Sequence, residues 1–289
     1  MRYEINLKNM SIKLITELVL NPKIDFVFDC LPHLYPNVCL DIGAAAGKVA
    51  LQMLESGCKK IYCFEPFPGN WEFWYKNMQN HPEAILYRYA LADKVGFETF
   101  LIPSTVSGSE PGWEDYKGYS SVGYLESVST NSQATAIKVP VTTLDEEFIG
   151  QKISFCKIDT QGAELRVLMG AELLLGKHLI DMLYMEWSGD TATCEYLLNK
   201  GYMIYDSIYT AVAKQESFAP FLDYGFEFLS FGNLSTGKKA FNMRLKTGDP
   251  IEAMRKVKED NLVEWIQTDL IAVTPSISKL LEISLNKMS

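Results

Sequence analysis

From Asn37 onward, short apolar runs alternate with stretches whose apolar residues recur at helical spacing. Residues 37–43 (NVCLDIG) read as a buried strand closed by glycine, and 48–57 (KVALQMLESG) as a helix that ends on another glycine. The segment 59–66 (KKIYCFEP) reads as a second strand ending at Pro66, 69–80 (GNWEFWYKNMQN) as a helix, and 84–93 (AILYRYALAD) as a third strand. Strand, helix, strand, helix, strand predicts βαβ units and a parallel sheet, so the expected class is α/β.

After residue 95 the pattern changes. Residues 96–103 (GFETFLIP) and 136–144 (AIKVPVTTL) look extended, and the stretch between them is rich in Ser, Thr and Gly yet carries Trp113, Tyr116, Tyr119 and Tyr124. Large aromatics in so polar a stretch predict a lid or acceptor loop over 104–136, with Tyr119, Ser120 and Ser121 able to stack on a substrate and hydrogen-bond it. Alternation resumes at 153–176 (ISFCKIDTQGAELRVLMGAELLLG), read as strand, turn and helix. A strand over 179–188, a helix over 191–202 and last strands at 203–209 (MIYDSIY) and 269–275 (DLIAVTP) follow. An insertion, residues 210–261, separates those two strands, and the tail from Ser276 is helical in spacing and expected to cap the sheet.

Composition narrows the classes. The 289 residues carry a formal charge of −9 and are 47% hydrophobic, which disfavours both a disordered chain and a protein that grips nucleic-acid phosphates. The start reads as an amphipathic helix, lacking an uninterrupted secretory apolar run, and no stretch is long and apolar enough to span a bilayer. The six cysteines and three histidines form no zinc spacing; Cys39, Cys63 and Cys156 sit in strand-like runs as reduced core residues, so a cytoplasmic protein is expected.

In an open α/β sheet, ligands bind beyond the carboxyl ends of the strands. Those ends here are Asp41-Ile42-Gly43-Ala44-Ala45-Ala46-Gly47, Glu65-Pro66, Ala90-Leu91-Ala92-Asp93, Lys157-Ile158-Asp159-Thr160-Gln161-Gly162 and Glu186-Trp187, each with an acid. Ala45 takes the place of the middle glycine of a dinucleotide fingerprint, and with Asp41 beside it the turn is a poor host for a pyrophosphate and a better one for a cation. Glu65 follows Gly43 by about 20 residues, the distance at which an acid can accept the hydroxyls of an adenosine ribose. An adenosine ligand that is cationic and lacks pyrophosphate describes S-adenosylmethionine (SAM).

The segments VCLDIGAAAGKVA, CFEP, ALAD, VTTLDE and KIDTQGAELRVLMGA, in that order over residues 37–188, resemble the FkbM-type class I methyltransferases. Many members carry Glu where Gln161 stands. The resemblance implies a Rossmann-like fold with a seven-stranded, mostly parallel sheet flanked by helices, its last strand antiparallel. A single domain is expected: an N-terminal helical arm (1–36), a cofactor-binding half (37–103), the lid, the second half of the sheet (137–209), the insertion, and a last strand with a C-terminal helix (262–289). It further implies SAM as donor, S-adenosylhomocysteine (SAH) as product, and methylation of an oxygen. By position, Gly43, Ala44, Ala45 and Gly47 frame the methionine part, Asp41 sits near its ammonium, Glu65 holds the ribose, and Pro66 with Ala90, Leu91 and Ala92 borders adenine.

Asp159 is expected to face the methyl group and to be the first candidate for a base, with Glu186 second and Gln161 beside the substrate; Glu164 reads as a structural acid at a helix start. No third ligand accompanies Asp159 and Glu186, so a divalent metal is not expected. The acceptor is a hydroxyl or carboxyl of a small natural product, peptide-like metabolite or glycan, with no nucleic-acid partner. A homodimer is the one assembly considered. Two other classes remain: a non-catalytic cofactor-binding scaffold, and a nicotinamide-dependent oxidoreductase, which Ala45 disfavours.

Overall fold

The structure is a computed structural model, and it describes residues 36–103, 124–125, 134–215, 217–233 and 239–278. These fall into two compact units, one running to Leu183 and the other beginning at Tyr184. The expected N-terminal arm and most of the lid, including Tyr119, Ser120 and Ser121, lie outside the described residues.

In the first unit, β1 (Val38–Ile42), β2 (Lys60–Phe64), β3 (Ala84–Tyr87) and β8 (Phe155–Ile158) run parallel in the order β8-β1-β2-β3. Leu40 stands in register with Tyr62 on one side and Cys156 on the other. The central strands bury both faces, as their unbroken apolar runs require: Cys39, Leu40, Ile61, Cys63, Phe155 and Cys156 are all fully enclosed. Helix α1 (Lys48–Glu55) follows β1 and buries Ala50 and Met53, while α2 (Pro68–Met78) follows β2 and buries Asn70, Trp74 and Met78. Pro68 at the first helical position has no N–H to leave unsatisfied.

The third strand is shorter than its pattern suggested. β3 ends at Tyr87, and β4 (Ala90–Leu91) pairs instead with β7 (Ala134–Thr142) in a separate four-stranded sheet of order β4-β7-β5-β6, where β5 is Gly96–Pro103 and β6 is Tyr124–Leu125. The reason is packing: Ala90, Phe100, Leu125, Val139 and Val141 enclose one another with Phe67 and Ala163. A short helix α3 (Leu144–Glu147), capped by Thr143, leads to β8. The single helix expected beyond residue 162 is broken into α4 (Glu164–Met169) and α5 (Glu172–Gly176). At the break, Gly170 packs so closely on the backbone that an added Cβ would lie 2.0 Å from the Ala92 carbonyl oxygen.

In the second unit, β9 (Met182–Trp187), which starts at the boundary, is followed by α6 (Thr191–Asn199), β10 (Met203–Asp206), β11 (Tyr209–Ala213), α7 (Ala219–Leu222), β12 (Phe226–Asn233), β13 (Lys239–Leu245), α8 (Pro250–Glu259) and β14 (Val263–Val273). Asp190 caps α6 by accepting the Thr193 N–H at 2.8 Å. The run at 203–209 proves to be two strands, since β10 stops at Asp206 and β11 starts at Tyr209, both antiparallel to β14. Within the expected insertion, β12 and β13 form an antiparallel hairpin flanked by α7 and α8, and β13 also pairs with β11, which already contains Thr210. Phe218 and Phe221 stack on each other and meet Phe226, Phe228 and Phe241 of the hairpin edge to face or tilted. Among the described residues the second unit pairs its strands antiparallel, β10 and β11 with β14, β11 with β13 and β12 with β13, which corrects the expected seven mostly parallel strands to a larger set of mixed direction. The strands beyond the expected number are β11, β12 and β13, and β14 runs antiparallel to β10 and β11.

Candidate functional site

The first turn, between β1 and α1, owes its shape to positive-φ backbone. Gly43 has φ 76°, and a Cβ there would stand 1.8 Å from the carbonyl oxygen of Asp159, so the turn after β1 and the turn after β8 touch backbone to backbone. Ala45, with φ 46°, holds a left-handed conformation without being glycine. Its strain is offset by a bond at the turn's crest, where its N–H donates to Glu65 Oε2 at 2.8 Å. Gly47 serves packing: a Cβ there would lie 2.8 Å from Met78 Cε and 2.9 Å from Trp74 Cδ1.

Glu65 directly follows β2 and is buried. Its other oxygen accepts the Phe67 N–H at 2.8 Å, and its own carbonyl accepts the indole N–H of Trp71 at 2.9 Å. Burial raises its carboxyl to about 7, although the Phe67 and Ala45 amides and the Asn70 side chain pull the other way.

At the end of β8, Asp159 is partly exposed. Its Oδ1 accepts the Gln161 side-chain amide at 2.7 Å, and its Oδ2 lies 3.5 Å from Lys157 Nζ. Lys157 in turn donates to the Gly43 carbonyl at 2.8 Å and lies 3.3 Å from Asp41, which is fully buried. Burial works against the Lys157 charge, but Asp41 and then Asp159 outweigh it and raise its proton affinity. Glu164 folds back on this turn, accepting from the Thr160 N–H at 2.8 Å and the Gly162 N–H at 3.1 Å, and is structural as read.

These turns open onto a cleft of about 970 Å³, its open mouth included. Of the sequence-derived residues, Gly43, Ala44, Ala45, Glu65, Pro66, Ala90, Leu91, Asp159 and Gln161 line it, while Asp41, Gly47 and Ala92 are buried and do not. Asp93 is taken up by Arg166, whose Nε donates to it at 2.8 Å. Glu186, next to last in β9, is half-buried in the second unit and is not among the residues lining the cleft. Sequence reasoning passed over Lys157, Phe67, Asn70, Phe100 and Leu125, all of which line the cleft. A lysine inside the apolar run 153–158 was the one legible signal, because an unpaired charge in a buried strand is costly. Phe100 and Leu125 arrive from the smaller sheet, where they are register partners.

Residues 41–204 match the model of the methyltransferase FkbM domain. This chain belongs to the FkbM methyltransferase family. The FkbM match therefore covers the described residues that line the cleft and the ends of β1, β2, β3, β8 and β9. Methyltransferase 1 of Beauveria bassiana (strain ARSEF 2860) is 26% identical over 200 residues, covering 63% of this chain and 78% of that protein. Solved structures similar to this FkbM methyltransferase include a precorrin-6y C5,15-methyltransferase from Geobacter metallireducens GS-15, at 12% identity and TM-score 0.39, covering 91% of this chain and 94% of that one. An rRNA methylase from Streptococcus thermophilus stands at 12% identity and TM-score 0.38, covering 79% and 99%. Among the described residues of this FkbM protein, no group of three or more His, Cys, Asp or Glu could hold a metal, and no helix is long and apolar enough to cross a membrane.

Proposed function

We propose that this protein is a SAM-dependent O-methyltransferase whose acceptor is a hydroxyl or carboxyl of a small natural product, peptide-like metabolite or glycan. The observation that carries the reading is the placement of Glu65: a buried carboxylate at the end of β2, lining the cleft and tied to the crest of the first turn through Ala45. Hydroxyls of a ribose are the donors such an acid can accept. The residues fit the donor in charge and shape, with small Ala44 and Ala45 at the turn and apolar Pro66, Ala90, Leu91, Phe67 and Phe100 where a planar base needs contact.

Bound there, SAM would supply an activated methyl group for in-line displacement by the acceptor oxygen, and positioning supplies most of the acceleration. Asp159, partly exposed at the cleft, is the residue we assign to accept the proton of a hydroxyl acceptor; a carboxyl acceptor needs only alignment. Gln161 holds Asp159 in place from the side. Asp159→Asn is expected to bind SAH within about threefold of the parent and to lose two or more orders of magnitude in turnover, in line with the loss of a general base, about 10² to 10⁴. Mass spectrometry of metabolite extracts incubated with isotopically labelled SAM identifies the acceptor, and equal product from the Asp159 variant would remove the base assignment.

Binding should also follow the proton on Glu65. Burial pushes that carboxyl up to about 7 and ribose hydroxyls favour its charged form, so SAH affinity should rise with pH up to about 7 and then level. Below that point the loss approaches about tenfold per pH unit. The native state binds this proton more tightly than the unfolded chain, so Glu65 lowers the stability of the empty protein as pH climbs from the ordinary carboxyl range towards 7. Calorimetry between pH 5.5 and 8 on the parent and Glu65→Gln checks both; a parallel slope in the two proteins contradicts the assignment.

A further inference from the structure

Among the described residues Lys157 is the one buried cation lining the cleft, and neither a ribose contact nor proton transfer accounts for it. Its side chain is 7% exposed, and its ammonium reaches three groups: the Gly43 carbonyl at 2.8 Å on the first turn, Asp41 at 3.3 Å within β1 and Asp159 at 3.5 Å on the turn after β8. An apolar side chain of similar length would fill the same space without the cost of desolvating an ammonium. What the ammonium adds is directed donors. Two of its partners belong to the turns that already touch at Gly43 and Asp159, where no side chain separates the backbones.

We propose that Lys157 is a positioning residue for the methyl-donor site, tying the Gly43 turn to Asp159 and so setting the spacing of the two turns that would hold the donor. The inference rests on the SAM reading for its ligand but not for its geometry. Gln161 completes the arrangement: with Lys157 on one oxygen and the Gln161 amide on the other, the Asp159 carboxylate has one orientation. Neutralising Asp41 is the competing account, in which Lys157 merely prevents a fully buried carboxylate from standing alone.

The test separates the two by removing Asp41 first. Asp41→Asn, Lys157→Met and the double variant are compared in thermal melting, in calorimetry with SAH, and in amide hydrogen exchange of the 43–47 and 160–162 turns of the free protein. SAH is the probe because it lacks the sulfonium charge, so the change of charge at residue 157 acts on it with opposing signs at its ammonium and carboxylate. Lys157→Met alone is expected to melt lower than the parent. In the Asp41→Asn background, adding Lys157→Met should weaken SAH about tenfold, the worth of one charge-assisted hydrogen bond, and speed exchange in both turns. If the double variant matches Asp41→Asn in SAH affinity and in exchange, Lys157 is only the counter-ion of Asp41 and the proposal is overturned. If the parent binds no SAH while exchange still quickens in both turns, the SAM reading fails and the tie between the turns stands.

Discussion

Glu65→Ala is expected to weaken SAH binding by at least about a hundredfold, because it removes an acceptor for two ribose hydroxyls, each charge-assisted bond contributing about 1.5–3 kcal/mol. The loss is compounded inside the protein. The same carboxylate accepts the N–H of Ala45 at the crest of the first turn and that of Phe67 before α2, so its removal leaves two amides at the cleft wall without their acceptor. Glu65→Gln should fall between parent and Ala, since it keeps the shape but presents an N–H₂ to one of two amide donors. Calorimetric titration with SAH reads both, and an affinity unchanged in the Ala variant would remove the ribose assignment.

The second large effect is on stability. Gly43→Ala places a methyl where the structure has 1.8 Å to the Asp159 carbonyl oxygen, at a φ of 76° that an L-residue adopts only under strain. Neither neighbour is a flexible side-chain end: both are backbone at the ends of central parallel strands, with β1 in register against β8. Overpacking typically costs about 1–3 kcal/mol and the left-handed conformation about 1 kcal/mol more, so a destabilisation of about 3 kcal/mol is expected, lowering the melting midpoint by roughly 10 °C. Gly57→Ala is the control: it also has a positive φ, but nothing lies within 4 Å of its added Cβ. Only the conformational part of the cost should appear there, and equal losses at both positions would contradict the close approach of the two turns.

Much of the βαβ core was legible because its signals are local. Apolar runs of strand length ended in glycine or Pro66, and helices of apolar period ran between them, so β1, β2, β8 and the helices after the first two fall where the pattern put them. The cleft residues at strand ends were legible for the same reason, since a parallel strand in a βαβ unit delivers its last residues to one edge of the sheet. The departure of Ala90 and Leu91 into a second sheet was not legible. Their apolar character is equally suited to either sheet, and the choice was made by contacts with Phe100, Leu125 and Val141, distant in sequence. The hairpin of 226–245 escaped for a similar reason: its phenylalanines fit a strand or a helix until their partners across the hairpin are known.

The sequence by itself determined the class of fold, the acids at the strand mouths and the methyltransferase family, because each depends on residues close together in the chain. Only the tertiary structure decided that Lys157 reaches Gly43, Asp41 and Asp159, that Glu65 braces the first turn through Ala45, and that Gly47 makes room for Trp74 and Met78. A buried charge reveals its purpose through its partners, and those partners lie on strands that become neighbours only when the sheet forms.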